Sequence, residues 1–218
     1  MLNLRPESSV MFHLVLYNVL DADDIRRKAS QPVPDDFAER PNKLVTLGRL
    51  LSQKGIDIAV KAAALLRQRG LDFTWLVLGE GDQRAELETM IHAYGLEHHF
   101  ILKGRVANPY PYVAATDIYV QPSRYEGYSL ALQEARILAK PIVATDIPSS
   151  REQITDGHDG ILVRPDETAL AEGIIRLLND KSLCATLSSN LQGGRFDYED
   201  QVRRLFTLID DAKGSTRP

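Results

Sequence analysis

Four charged residues stand where their chemistry and spacing invite a function. In "PSRYEGYSLALQEA" (122–135), Glu126 and Glu134 flank seven residues, the first in a glycine-containing turn and the second inside an apolar helical pattern. In "GRLLSQKG" (48–55), Arg49 and Lys54 share one loop bounded by glycines. Two cations beside a helix N-terminus suit a diphosphate, because fixed charge and unpaired N–H groups point the same way. A solvated loop carrying two surface cations is the plain alternative. Glu126-Gly127-Tyr128-Ser129 lies at a predicted helix start, where the N–H groups of 128–130 lack intrahelical partners and also suit an anion. A carboxylate beside a phosphate is repelled unless it faces something else, and pairs of sugar hydroxyls are good donors to it. Glu134 lies about 7–8 Å further along the helix at a rise of 1.5 Å per residue. That is the reach from a terminal phosphate to the ribose of the same nucleotide. The competing reading has Glu126 capping the helix and Glu134 facing solvent. Leu130, Leu132, Ala135, Ile137 and Leu138 argue against it, since an unpaired acid in such surroundings costs several kcal/mol.

These residues need a scaffold, and short apolar runs alternate with helical patterns almost throughout. "KLVTLG" (43–48), "FTWLVLG" (73–79), "HFILKG" (99–104), "DIYVQP" (117–122), "PIVAT" (141–145) and "GILVR" (160–164) are strand-like. Helical spacing fills 55–70, 82–95, 110–115, 129–139 and 149–155. Strands that are apolar on both faces, each followed by a helix, imply a parallel sheet covered on both sides. The fold class expected is α/β, a Rossmann-like doubly wound parallel sheet with a C-terminal helical tail. After Arg164 three helices and no strands follow, the last around "YEDQVRRLFTLIDDAK". At the other end "HLVLYN" and "DADDIRRKAS" suggest a strand and a helix before the proline-bearing linker "QPVPDDFAERP". The expected division is 1–41 for that strand, helix and linker, 42–195 for the binding domain, and 196–218 for the last helix and tail.

In open α/β sheets ligands bind beyond the carboxyl ends of the strands, so the remaining turns matter too. "GEGD" (79–82) lacks the third glycine of a dinucleotide fingerprint and reads as a tight turn with Asp82 capping the next helix. "KGRV" (103–106) could present backbone groups to a flat base, although nothing in its residue types demands this.

The 218 residues are 44% hydrophobic and 26% charged, with net charge −4. That is globular composition with material for a sizeable core, and no basic run supports a nucleic-acid partner. The lone Cys184 cannot form an internal disulfide, which points to a reducing, cytoplasmic compartment, and it reads as a small apolar filler in a helix. No apolar run reaches the roughly 20 residues of a membrane span, and the opening segment does not read as a signal peptide. His98 and His99 have no acid or cysteine at ligand spacing, so no metal site is expected. His158, in "DGHDG", reads as part of a turn.

"GRLLSQKG", "PSRYEGYSLALQEA" and "KPIVATDIPSSREQITDGHDGILVRPDE" together resemble the donor-binding, C-terminal domain of retaining family 4 (group 1) glycosyltransferases of the GT-B fold. The resemblance runs from about His13 to Asp211, and "NPYPYVAATDIYVQPSRYEGY" is similar to bacterial polysaccharide-assembly members. It implies a nucleotide-sugar donor, with uridine the favoured base by family frequency, and a glycan or lipid-linked glycan acceptor. It also implies retention of anomeric configuration and no cofactor or metal ion. Arg49 and Lys54 match the cations on the diphosphate, Glu126 the glutamate at the transferred sugar, and Glu134 the one at the ribose. Backbone at Gly127, Tyr128, Ser129 and Leu130 matches the helix start that meets phosphate and sugar. Arg105 and Val106 match the segment whose backbone contacts the base.

Two departures bear on the sugar: Tyr128-Ser129-Leu130 replaces a common Phe-Gly-Leu, and Asp146 is followed by Ile147-Pro148-Ser149-Ser150 where many members have glycine. A complete enzyme of this kind carries an acceptor domain first, and residues 1–41 are too few for one. The expectation is a donor-binding half needing its acceptor domain, peripheral at the inner membrane face in the full-length enzyme. Competing readings are a non-catalytic nucleotide-sugar-binding subunit with a partner chain, and a nucleotide-sugar epimerase of the same fold. A dinucleotide-dependent oxidoreductase is opposed by the missing glycine fingerprint.

Overall fold

The computed structural model describes residues 20–33, 36–192 and Thr207. The expected strand at 13–18 and the helix around 198–213 fall outside the described residues, apart from Thr207, which is helical. All six expected strands form: β1 (Lys43–Leu47), β2 (Thr74–Leu78), β3 (Phe100–Gly104), β4 (Ile118–Gln121), β5 (Ile142–Thr145) and β6 (Ile161–Val163). They make one parallel sheet in the order β3-β2-β1-β4-β5-β6. The helices are α1 (Ala22–Ala29), α2 (Ile56–Gln68), α3 (Arg84–Ala93), α4 (Tyr110–Ala115), α5 (Leu130–Ile137), α6 (Pro148–Arg151), α7 (Glu167–Asn179) and α8 (Lys181–Gln192).

Successive side chains of a strand point to opposite faces, and here both faces are apolar. Leu44, Trp75, Val77, Ile118, Val120 and Val143 join α2, α3 and α7 in one core. Val45, Leu47, Leu76, Leu78, Tyr119, Ile142 and Ala144 join α4 and α5 in another. Fully burying each such Val, Leu or Ile side chain contributes about 1.5–3 kcal/mol, which holds the sheet between its two helical layers. The helix α1 is seated on α4 and α5 through Ala22 and Ile25 against Ile137, Tyr110 and Leu138. Phe37, from the linker, is buried against Tyr112 of α4.

The chain leaves β1 toward β2 and β3 on one side, then crosses to β4, β5 and β6 on the other. The β1–β4 boundary, in register Leu44↔Ile118 and Val45↔Tyr119, is therefore the switch point. Loops leaving the carboxyl ends of these two strands diverge and open a crevice between them.

Two expectations are corrected. Asp82 does not cap α3: the cap position is Gln83, which makes no side-chain cap bond, and Asp82 is exposed. The turn is organised instead by the neighbouring loop, with Leu50 N–H donating to Glu80 O at 3.0 Å and Gln83 N–H to Leu50 O at 3.1 Å. The helix expected over 149–155 is only α6, a single turn. It stops at its Glu152 cap, and beyond it Asp159 accepts from Thr155 N–H at 2.7 Å in the turn of 157–159, with His158 in it as expected. Cys184 lies in α8, packed against the first core with its thiol donating to Leu177 O at 3.1 Å.

Candidate functional site

A cleft of about 400 Å³ opens at the β1–β4 switch, lined by Leu47, Gly48, Arg49, Gln53, Lys54, Glu126, Tyr128, Ser129, Leu130, Ala131 and Glu134. Each wall follows from local sequence. After β1 the chain makes a 3-10 turn, Ser52–Lys54, and ends it at Gly55 with φ +63°. A Cβ at Gly55 would lie 2.0 Å from Pro122 O, so only glycine lets this turn press against the loop that follows β4. That contact brings Lys54 to Glu126.

The loop after β4 is pinned from below as well. Arg124 grips Asp57, in the first turn of α2, with two bonds of 2.6 Å, and donates to Ser52 O at 2.8 Å. Hydrogen bonding from Arg124 holds the Asp57 carboxyl below its ordinary range, and Asp57 in turn raises Arg124. Ser129 then caps α5, its hydroxyl accepting from Leu132 N–H at 3.3 Å. Glu126 is thus not the cap. The N–H groups of Leu130 and Ala131, at the start of the helix, have no intrahelical acceptor, and both residues line the cleft.

Glu126 sits in a nest of donors. Its Oε1 accepts from Lys54 Nζ at 2.5 Å, Ser123 Oγ at 2.8 Å and Gln121 Nε2 at 3.2 Å, and its Oε2 from Gln53 Nε2 at 3.4 Å. The side chains of Lys54 and Glu126 are only 18% and 8% exposed. Gln121 is itself held by the Tyr119 hydroxyl, which donates to its Oε1 at 2.8 Å. Such a fully partnered carboxylate in a restricted space has a fixed position and a strong local field.

Glu134 is different. It is half-buried in the cleft wall, accepts from the Tyr110 hydroxyl at 3.1 Å, and its carboxyl is raised above the ordinary value by desolvation, with the Tyr110 bond opposing the rise. It is not solvent-facing. Arg49 stands exposed at the rim.

The structure therefore gathers Arg49, Lys54, Glu126, Tyr128, Ser129, Leu130 and Glu134 around one space, with Lys54 paired to Glu126 within it. Gly127 does not line it, and neither do Arg105 and Val106, which follow β3, Arg105 exposed and Val106 packed on the second core. Gln53, Gln121, Ser123 and Tyr110 were not singled out in the sequence. A signal for two of them existed: Gln121 and Ser123 are polar residues ending an otherwise apolar strand, "DIYVQPS", and both are buried. Among the described residues no three His, Cys, Asp or Glu side chains cluster as metal ligands. No described helix is long and apolar enough to cross a membrane.

A six-stranded parallel sheet in this order, helices on both faces and a charged crevice at the switch define a Rossmann-like α/β domain. The match to known sequences narrows this: the chain belongs to the glycosyl transferases group 1 family, whose sequence profile matches residues 28–193. The alpha-D-kanosaminyltransferase of Streptomyces kanamyceticus is 32% identical over 173 residues, 78% of this chain and 45% of that protein. The chain thus spans less than half the length of that curated relative. Among solved structures, Anabaena HepE in complex with UDP-glucose superposes with a TM-score of 0.79 at 25% identity, covering 91% of this chain and 57% of that one. The C-terminal domain of the group 1 glycosyltransferase LpcC from Francisella tularensis superposes with a TM-score of 0.65 at 26% identity, covering 79% of this chain and 94% of that one.

Proposed function

We propose that this chain is the donor-binding half of a retaining glycosyltransferase that takes a nucleotide-diphosphate sugar, with UDP as the nucleotide. The observation that carries the reading is the single cleft spanning Arg49 and Lys54, the start of α5, and Glu134. In this reading Arg49 and Lys54 meet the diphosphate, together with the free N–H groups at the helix start. Glu134 accepts from the ribose hydroxyls. Glu126, held still by its donors, faces the transferred sugar, where charge develops in the transition state and a fixed carboxylate has most effect. Backbone at Gly127 and at Tyr128–Leu130 borders phosphate and sugar, and backbone at Arg105 and Val106 reaches the base from the end of β3. Binding needs no metal, because the cations and helix dipole already supply positive potential.

Several features support the finer points. HepE, of similar fold, holds UDP-glucose. An isolated C-terminal domain of a family member superposes over nearly its whole length, which favours a donor half completed by an acceptor domain. The motifs shared with polysaccharide-assembly members favour a glycan or lipid-linked glycan acceptor at the cytoplasmic membrane face. The chain's share of its relative's length also keeps a second reading, a non-catalytic nucleotide-sugar-binding subunit acting with a partner chain. Transfer assays with the acceptor domain supplied separate the two.

The test is calorimetry with UDP, GDP, ADP and UDP-sugars in chelator, backed by thermal shift, since a ligand that binds only the folded state raises its melting point. Binding of UDP without metal is expected. No binding by any diphosphate at millimolar concentration refutes the reading.

A further inference from the structure

Tyr110 opens α4 and does not line the cleft, yet its hydroxyl reaches Glu134 Oε1 at 3.1 Å. Its ring is packed among Ala22 and Ile25 of α1 and Ile137 and Leu138 of α5. Asn108 fixes that arrangement: its Nδ2 donates to Lys28 O at the end of α1 and to Gln31 Oε1, both at 3.0 Å. Its Oδ1 accepts from Tyr110 N–H at 3.2 Å. The aromatic ring is therefore set by a helix that does not itself line the cleft.

We propose that Tyr110 is a positioning residue for Glu134, occupying one carboxylate oxygen so that the other is presented, ionised and in one rotamer, to the ribose hydroxyls. This rests on the nucleotide reading above. Among the described hydrogen bonds Oε1 is the engaged atom, which leaves Oε2 for the cleft that Glu134 lines. A hydroxyl that donates to a carboxylate favours its charged form. Burial, and secondarily the negative charge of Glu134, push Tyr110 up to about 12, so it keeps its proton and remains a donor at neutral pH. Desolvation works on Glu134 in the opposite sense and favours the neutral acid. The hydrogen bond thus opposes the effect of burial at the atom that must accept.

Other charges surround the pair. Asp24 of α1 acts on Tyr110 and is itself paired with Lys28 and Arg27, and α1 also carries Asp23 and Arg26. Tyr119 of β4 lies buried within the field of Glu134. Arg136 shares α5, and α8, packed on α5, carries only Lys181 and Cys184 as titratable groups. Arg49, Lys54 and Glu126 line the same cleft. None of these stands in Tyr110's place as a donor to Glu134.

The experiment compares the full chain with Tyr110→Phe, which keeps the ring that α1 packs on and deletes the hydroxyl. Two readouts are taken. The Glu134 carboxyl is titrated by carbon NMR, with Glu134→Gln identifying its signal. The ratio of UDP to 2′-deoxy-UDP affinity is followed by calorimetry from acid to neutral pH. Phosphate titration is common to both ligands and cancels in that ratio. The expected result is a Glu134 midpoint shifted to higher pH in the Phe variant, with the preference for ribose lost at correspondingly higher pH. An unmoved midpoint, or a ribose preference with the same pH dependence in both proteins, overturns the proposal even if the variant melts earlier. A shifted midpoint in a chain that binds no UDP sustains the positioning of Glu134 and refutes the nucleotide reading instead.

Discussion

Lys54 has two tasks in the proposed function, one structural and one at the ligand, and its partner Glu126 lets them be separated. Lys54→Met keeps the stem of the side chain to its ε position and removes the ammonium group. Breaking a fully buried pair on one side costs about 3–5 kcal/mol. Here Glu126 would keep Ser123, Gln121 and Gln53 as donors, which brings the expected loss to about 1–3 kcal/mol. Glu126→Gln leaves an ammonium with 18% exposure that can turn toward the open cleft, and should cost about 1–2 kcal/mol. The double variant leaves no orphaned charge, so it should fall short of the sum by a coupling of about 1–3 kcal/mol. Urea denaturation measures each value, and each kcal/mol should appear as about 2–4 °C in Tm for a chain of this size. Affinity should divide differently. Lys54→Met should weaken UDP binding by about 1.5–3 kcal/mol, the worth of a hydrogen bond to a charged group, whereas Glu126→Gln, which frees the Lys54 ammonium, should not weaken UDP binding and should lower only the added affinity of the sugar. Additivity within about 0.5 kcal/mol in the stability cycle would show that the pair is not coupled. Equal losses of UDP affinity in both variants would remove the division of labour.

Gly55→Ala should destabilise by more than the roughly 1–2 kcal/mol that a left-handed backbone costs an L-residue, because its Cβ would also meet Pro122 O at 2.0 Å; an unchanged urea midpoint would contradict the packing described. Ser129→Ala should cost about 1 kcal/mol through loss of the α5 cap, read by the same denaturation. Glu134→Gln should give a pH-dependent gain. Burial raises this carboxyl above 4.5 in the folded chain, so the wild type is favoured below that value and loses stability as pH rises through the raised value. The Gln variant lacks this loss, and its stability relative to wild type should be better at neutral pH than in acid. An equal difference at both ends would place Glu134 in water.

Every described strand was legible because burial on both faces leaves a run of apolar residues that needs no partner to be recognised. The cleft was legible at its charged landmarks, Arg49, Lys54, Glu126 and Glu134, since cations among glycines and acids in a greasy helix are conspicuous. Their supporting partners were not. Gln53 and Glu126 are 73 positions apart, and Tyr110 and Glu134 are 24 apart; only strand order and helix seating make them neighbours, and neither is written in local residue types. Asp82 failed for the same reason. Its local environment favours a cap, but the 48–51 loop supplies the acceptor at Leu50 O, and a contact between two loops outweighs a local preference.

The Arg124–Asp57 clamp gives the two loops around the cleft a common fate. Arg124 fastens the segment after β4 to the first turn of α2, and Arg124 N–H also donates to Gln53 O at 2.8 Å. Neither loop can be displaced without dragging the other, and α2 with it, out of the core. For an engineer altering which ligand the cleft takes, residues 48–57 and 122–130 are accordingly one cassette. Transplanting either half from a relative would mismatch its guanidinium with a foreign carboxylate, or its glycine with a foreign carbonyl, and the exchange should succeed only when both halves travel together.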